Sequence, residues 1–155
     1  MSELRSVLLA IDVATQKRDQ ASKYLIQALR ACQGAQDQLE QLSSYAADTE
    51  AKWSAAAQVS VSPELMRHHY QFMERLRHAI GMQGGTLSEL QLRSEEARRK
   101  TMEAEGRLAG LQKVLKKKQA ERDARLNRRE QRQMDEFAAQ QHGRLHVRYP
   151  NGDTP

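Results

Sequence analysis

Apolar residues recur at alternating steps of four and three from one end of the first third of the chain to the other. Val7, Ile11, Ala14, Arg18, Ala21, Leu25, Ala28, Cys32, Ala35, Leu39, Leu42, Ala46, Thr49 and Trp53 form this series, and twelve of the fourteen are apolar. A heptad pattern sustained this long predicts a helix over residues 3–57 that pairs with another helix along a narrow seam. The pattern breaks at "QVSVSPE". Val59 and Val61 are β-branched, Ser62 suits an N-cap, Pro63 suits the first helical position, and Glu64 favours the helix dipole. A turn is therefore expected over 58–63 and a second helix over 64–140.

The second helix carries its own seam: Met66, His69, Met73, Leu76, Ile80, Gln83, Leu87, Leu90, Ser94, Ala97, Thr101, Ala104, Leu108, Leu111 and Leu115. Eleven of these fifteen are apolar. In an antiparallel hairpin, facing residues have residue numbers with a constant sum. A sum of 122 brings the two seams into one register, pairing Val7 with Leu115, Ile11 with Leu111, Ala14 with Leu108, Leu25 with Ala97, Cys32 with Leu90 and Trp53 with His69. Large residues often face small ones, as close-packed helices require. The expected fold is all-α: two long helices in an antiparallel coiled-coil hairpin over residues 1–142, the second helix longer and overhanging. Gly81, Gly84 and Gly85 lie inside that helix, either tolerated or marking a bend. Residues 143–155 lose the helical pattern and are expected to form a flexible tail.

The register also explains an otherwise puzzling segment, "KKKQAERDARLNRREQRQMDEFAAQQ", from Lys116 to Gln141. It begins where the first helix runs out, near Glu3, which the sum places opposite Gln119. Residues from about 119 to 140 then extend alone for roughly 30 Å at 1.5 Å per residue. An unpaired helix with almost no apolar face is expected to meet a partner outside the chain. The alternative is a solvated helix held by i,i+4 pairs such as Glu121 with Arg125.

Charge sharpens that expectation. Residues 1–58 hold six basic and seven acidic side chains, whereas residues 113–132 hold nine Lys or Arg against three acids. The net +5 of the chain is thus one local feature. An acidic protein surface, a nucleic acid or an anionic membrane would each suit it. No aromatic residues interleave with Arg122, Arg125, Arg128, Arg129 and Arg132 for base stacking. The segment also lacks the apolar face that membrane binding needs. An acidic socket in a protein fits best, with Met134 and Phe137 adding an apolar contact beyond the charges.

Chemistry points away from catalysis. Phosphate-binding glycine loops, HExxH and paired cysteines are all lacking, and His68 and His69 point to different helix faces. No enzyme activity, metal or cofactor is expected. The single Cys32 excludes an intramolecular disulfide and suits a reducing compartment. "VLLAI" (Val7–Ile11) is too short for a signal-peptide core, so a cytoplasmic location is expected. On the surface, Gln38 and Tyr45 occupy g positions of the first helix, and Leu65, Phe72 and Ala79 occupy g positions of the second. These should share one flank above Leu42 and Leu76, a partly exposed apolar strip with two aromatics.

The stretch "RREQRQMDEFAAQQ" (Arg128–Gln141), "HHYQFMERLRHAI" (His68–Ile80) and the region around Gln38, Leu42 and Tyr45 together resemble the FliJ family of flagellar type III export proteins. The most specific part is Gln-x-x-Met-Asp-Glu-Phe-Ala, from Gln131 to Ala138. The resemblance implies an antiparallel coiled coil similar to the central stalk of rotary ATPases. It implies engagement of the hexameric export ATPase FliI, binding to the export-gate protein FlhA, and handling of empty export chaperones. Such a protein is cytoplasmic and peripherally associated with the inner membrane at the flagellar base. By the same resemblance, Gln38, Leu42, Tyr45, Phe72, Leu76 and Ala79 map to the gate-binding surface. Gln83 stands where the family pattern has histidine. Ring contacts are expected from Arg122, Arg125, Arg128, Arg129, Gln131, Met134, Asp135, Glu136 and Phe137. A virulence-injectisome stalk protein and a basic nucleic-acid-binding coiled coil are the alternatives; the resemblance favours no nucleic acid.

Overall fold

The computed structural model describes residues 2–148, with side chains described to residue 145. Two helices account for nearly all of it: α1, Ser2–Ala57, and α2, Pro63–Arg148. They pack against each other without strands among the described residues. The turn between them is built as its sequence predicts. The Val59 amide donates to Ala56 O at 3.2 Å. Ser62 caps α2: its Oγ accepts from the Leu65 amide at 3.3 Å, and its carbonyl accepts the first helical bond from Met66 at 3.1 Å. Pro63, which has no amide hydrogen to leave unsatisfied, opens the helix.

The chain divides into two compact units, residues 14–107 and residues 1–13 with 108–155. In the first unit the seam forms as the heptads predict. Ala14, Ala35, Met73, Leu76, Leu87 and Thr101 are buried, and the other seam positions between them are half-buried. Met66 departs from the pattern and is exposed; its register partner is only Ala56, next to the end of α1, so no side chain is long enough to cover it. Cross-helix contacts keep the expected register. The Trp53 and His69 rings stack at 4.1 Å between centroids and 6° between planes. The buried hydroxyl of Thr101 donates back to Ala97 O at 2.8 Å, and no buried polar side-chain atom is unsatisfied among the described residues.

In the second unit Leu108 is buried, and Leu111 and Leu115 are half-buried. The seam ends on Lys118. Its stem is partly covered, and its Nζ reaches Glu3 Oε2 at 3.0 Å. This is one residue before the position that the register sum assigned to Glu3.

The end of α2 differs from expectation. The helix continues to Arg148, past the boundary set at 140, so residues 143–148 are helical where a flexible tail was expected. Gly143 costs a propagating helix only about 1 kcal/mol relative to Ala, and extending a formed helix requires no new nucleus. Leu145 and the basic residues that follow Gly143 are good helix formers, and the next strong breaker in the sequence is Pro150. Residues 149–155 of the expected tail lie outside the described residues. The internal glycines are accommodated within α2 at negative φ.

Candidate functional site

Two surfaces carry the candidate residues, one in each unit. The first is the g flank near the turn. Leu76 is buried and Leu42 half-buried, so both belong to the seam and form the floor. Above them Tyr45 and Phe72 meet edge to face, with ring centroids 6.2 Å apart at 81°. This is a favoured aromatic geometry. It fixes both rings while leaving them open to solvent, Tyr45 at 55 % and Phe72 at 37 %. Gln38, Leu65 and Ala79 are exposed on the same flank. The heptad geometry therefore brings these residues together as it predicts.

Gln83 has a role here that the sequence did not reveal. Its side-chain amide donates to Gln38 Oε1 at 3.0 Å and to Ala35 O at 3.1 Å. It holds the Gln38 carboxamide in place, and both of its amide hydrogens are engaged within the hairpin. On the opposite flank, Arg77 approaches Glu50 at 3.7 Å, an exposed pair that adds little.

The second surface is the unpaired end of α2. Every residue from Arg125 to Leu145 is exposed, including Arg125, Arg128, Arg129, Gln131, Met134, Asp135, Glu136 and Phe137; Arg122 is exposed too. The Glu121–Arg125 pair that would mark a merely solvated helix does not form among the described residues. Arg122 lies 3.7 Å from its neighbour Asp123 instead, and Gln131 reaches Asp135 at 3.5 Å. Arg125 adds to the positive field at Glu3. The Glu3 carboxyl is held below its ordinary value of 4.5, first by the Lys118 hydrogen bond and charge, with Arg125 a minor contributor.

Sequence reasoning missed several apolar residues in this unit. Leu126 is exposed, and it lies three helical turns before Phe137, on the same face. Leu8, Leu9 and Val13 of α1 are also exposed. The signal was present in "VLLAI": Val7 and Ile11 satisfy the seam, and the leucines between them cannot. Among the described residues, no cluster of His, Cys, Asp or Glu is arranged to hold a metal, and no helix is long and apolar enough to cross a membrane.

Comparison with protein families gives one match: the family described as "Flagellar FliJ protein" matches residues 3–145. Comparison with curated proteins and with solved structures gives no match.

Proposed function

The chain belongs to the FliJ family of flagellar proteins, and we propose that within the export apparatus it is a non-enzymatic stalk. In this reading the basic end of α2 enters the ring of the hexameric export ATPase FliI and promotes its assembly and activity. The Tyr45–Phe72 flank contacts the export-gate protein FlhA. The same protein handles empty export chaperones and works in the cytoplasm, peripheral to the inner membrane. The flagellar family match supports this over an injectisome stalk.

The observation that carries the reading is the unpaired length of α2. Its arginines and then Met134 and Phe137 stand exposed, a combination that a socket lined with acids and apolar side chains would match. Met134 and Phe137 are neighbours at i,i+3 on the helix surface and would give such a socket an apolar contact beside the charges.

The test is ATPase stimulation with purified FliI. The full chain should raise turnover, and a chain lacking residues 119–148 should not, while its remaining helices keep their circular dichroism signal. Equal stimulation by the shortened chain would overturn the assignment. Phe72→Ala should weaken FlhA binding at least tenfold, an effect of about 1.4 kcal/mol, and leave ATPase stimulation unchanged. The reverse pattern would exchange the roles of the two surfaces.

A further inference from the structure

The g flank does not end at Tyr45. Further along the same unit, α1 and α2 leave a groove of about 670 Å³ between residues 17–31 and 90–100. Its cause lies in the seam. The register places Ala21 opposite Thr101 and Ala28 opposite Ser94, so two layers meet through small side chains only. Ala21, Ala28, Ala31, Leu90 and Ala97 make an apolar floor. Tyr24 rises from this floor, 61 % exposed. A smaller hollow of about 270 Å³ continues the groove past Ala14 and Ala104. Together they run for about 25 Å along α1, or some five turns of a docked helix.

The rim is basic. Lys17, Arg93, Lys100 and Arg107 stand along it, against Glu96 and Glu103. Both acids are already engaged: Glu103 holds Arg99 at 2.8 Å and Glu96 lies 3.7 Å from Lys100. Among the described residues, Lys17, Arg93 and Arg107 form no ion pair. An apolar trough with small residues on its floor admits another helix at close range. Uncompensated cations on both walls select one whose flanks are acidic. Tyr24 supplies the aromatic anchor that such contacts favour.

We propose that this groove is a docking site for an acidic amphipathic helix of another protein, with apolar anchors at i, i+3, i+4 and i+7 seated over Tyr24 and the alanines. A phosphate backbone would gain nothing from the apolar floor, which an amphipathic helix would cover. The site is separate from the ring and gate surfaces and does not depend on them.

The test places the photo-crosslinker p-benzoylphenylalanine at position 24 of the full chain, in the cells that make the protein, and maps the crosslinked peptide by mass spectrometry. Position 26, exposed on another face of α1, serves as control. The expected product is a segment of another protein with net negative charge and helical apolar spacing. A synthetic peptide of that segment should bind the full chain. Binding should fall at least tenfold with Lys17→Glu/Arg93→Glu and with Tyr24→Ala, and should be unchanged by Phe72→Ala. A crosslink to a second copy of the chain, to a nucleic acid or to a segment that is not acidic would overturn the proposal. So would a yield no higher than at position 26, or peptide binding that is insensitive to both groove variants.

Discussion

Residues 14–107, apart from the turn at 58–62, and residues 119–148 are helical, yet their helices persist for different reasons. In the first region nearly every turn of α2 after Met66 buries or half-buries a seam side chain against α1, so tertiary packing fixes the helix. In the second, every side chain from Arg125 to Leu145 is exposed, and the helix rests on propensity and on continuity with a helix that is already formed. The first region resists substitution at its seam and uses its flank for contacts. The second leaves the circumference of the helix exposed from Arg125 to Leu145. A seam is therefore a structural commitment, and where it stops the helix surface stays open to contact.

Loss of a seam side chain should give the largest change in stability. Leu87→Ala or Leu108→Ala should each cost about 2–4 kcal/mol by urea denaturation, because each side chain is buried between the helices. Leu126→Ala in the unpaired segment should change stability by less than about 0.5 kcal/mol while reducing ATPase stimulation. A large loss of stability at Leu126 would show that the segment is packed, and the contrast would fail. Filling a glycine should act in the opposite direction. Gly85 and Gly110 have open space where a Cβ would stand. Alanine at either should stabilise by up to about 1 kcal/mol, read as a rise in Tm.

The smallest expected effect is at the junction of the two regions. Glu3 is fully exposed and paired with Lys118, and its pKa is lowered in the folded chain. The pair's contribution is present above the ordinary carboxylate pKa and is lost as pH falls through the lowered one. An NMR titration of the Glu3 carboxyl should show the lowered midpoint, and Lys118→Ala should return it toward the ordinary value.

The seam was legible because burial at heptad spacing leaves a periodic mark. One register sum then located the Trp53–His69 stack and, to within one residue, the partner of Glu3. The Tyr45–Phe72 contact was legible from the same geometry, since both residues occupy g positions that must meet across an antiparallel pair. Other features left no such mark. The bond from Gln83 to Gln38 depends on side-chain reach, which spacing does not encode. The tail boundary at Gly143 was misplaced because one glycine weakens a helix without ending it. Leu8, Leu9 and Leu126 were passed over because apolar residues off the seam look incidental until their exposure is seen.

By itself, then, the sequence determined two helices, the break at Ser62–Pro63, their register and the point near Glu3 where pairing stops. These follow from local preferences and from a repeat that has one low-energy solution. Only the tertiary structure decided that α2 runs on past Gly143, which off-seam apolar side chains stay uncovered, and that the Ala21–Thr101 and Ala28–Ser94 layers leave a groove beneath Tyr24. Those outcomes depend on the volumes that remain between packed helices, and a one-dimensional pattern carries no volume.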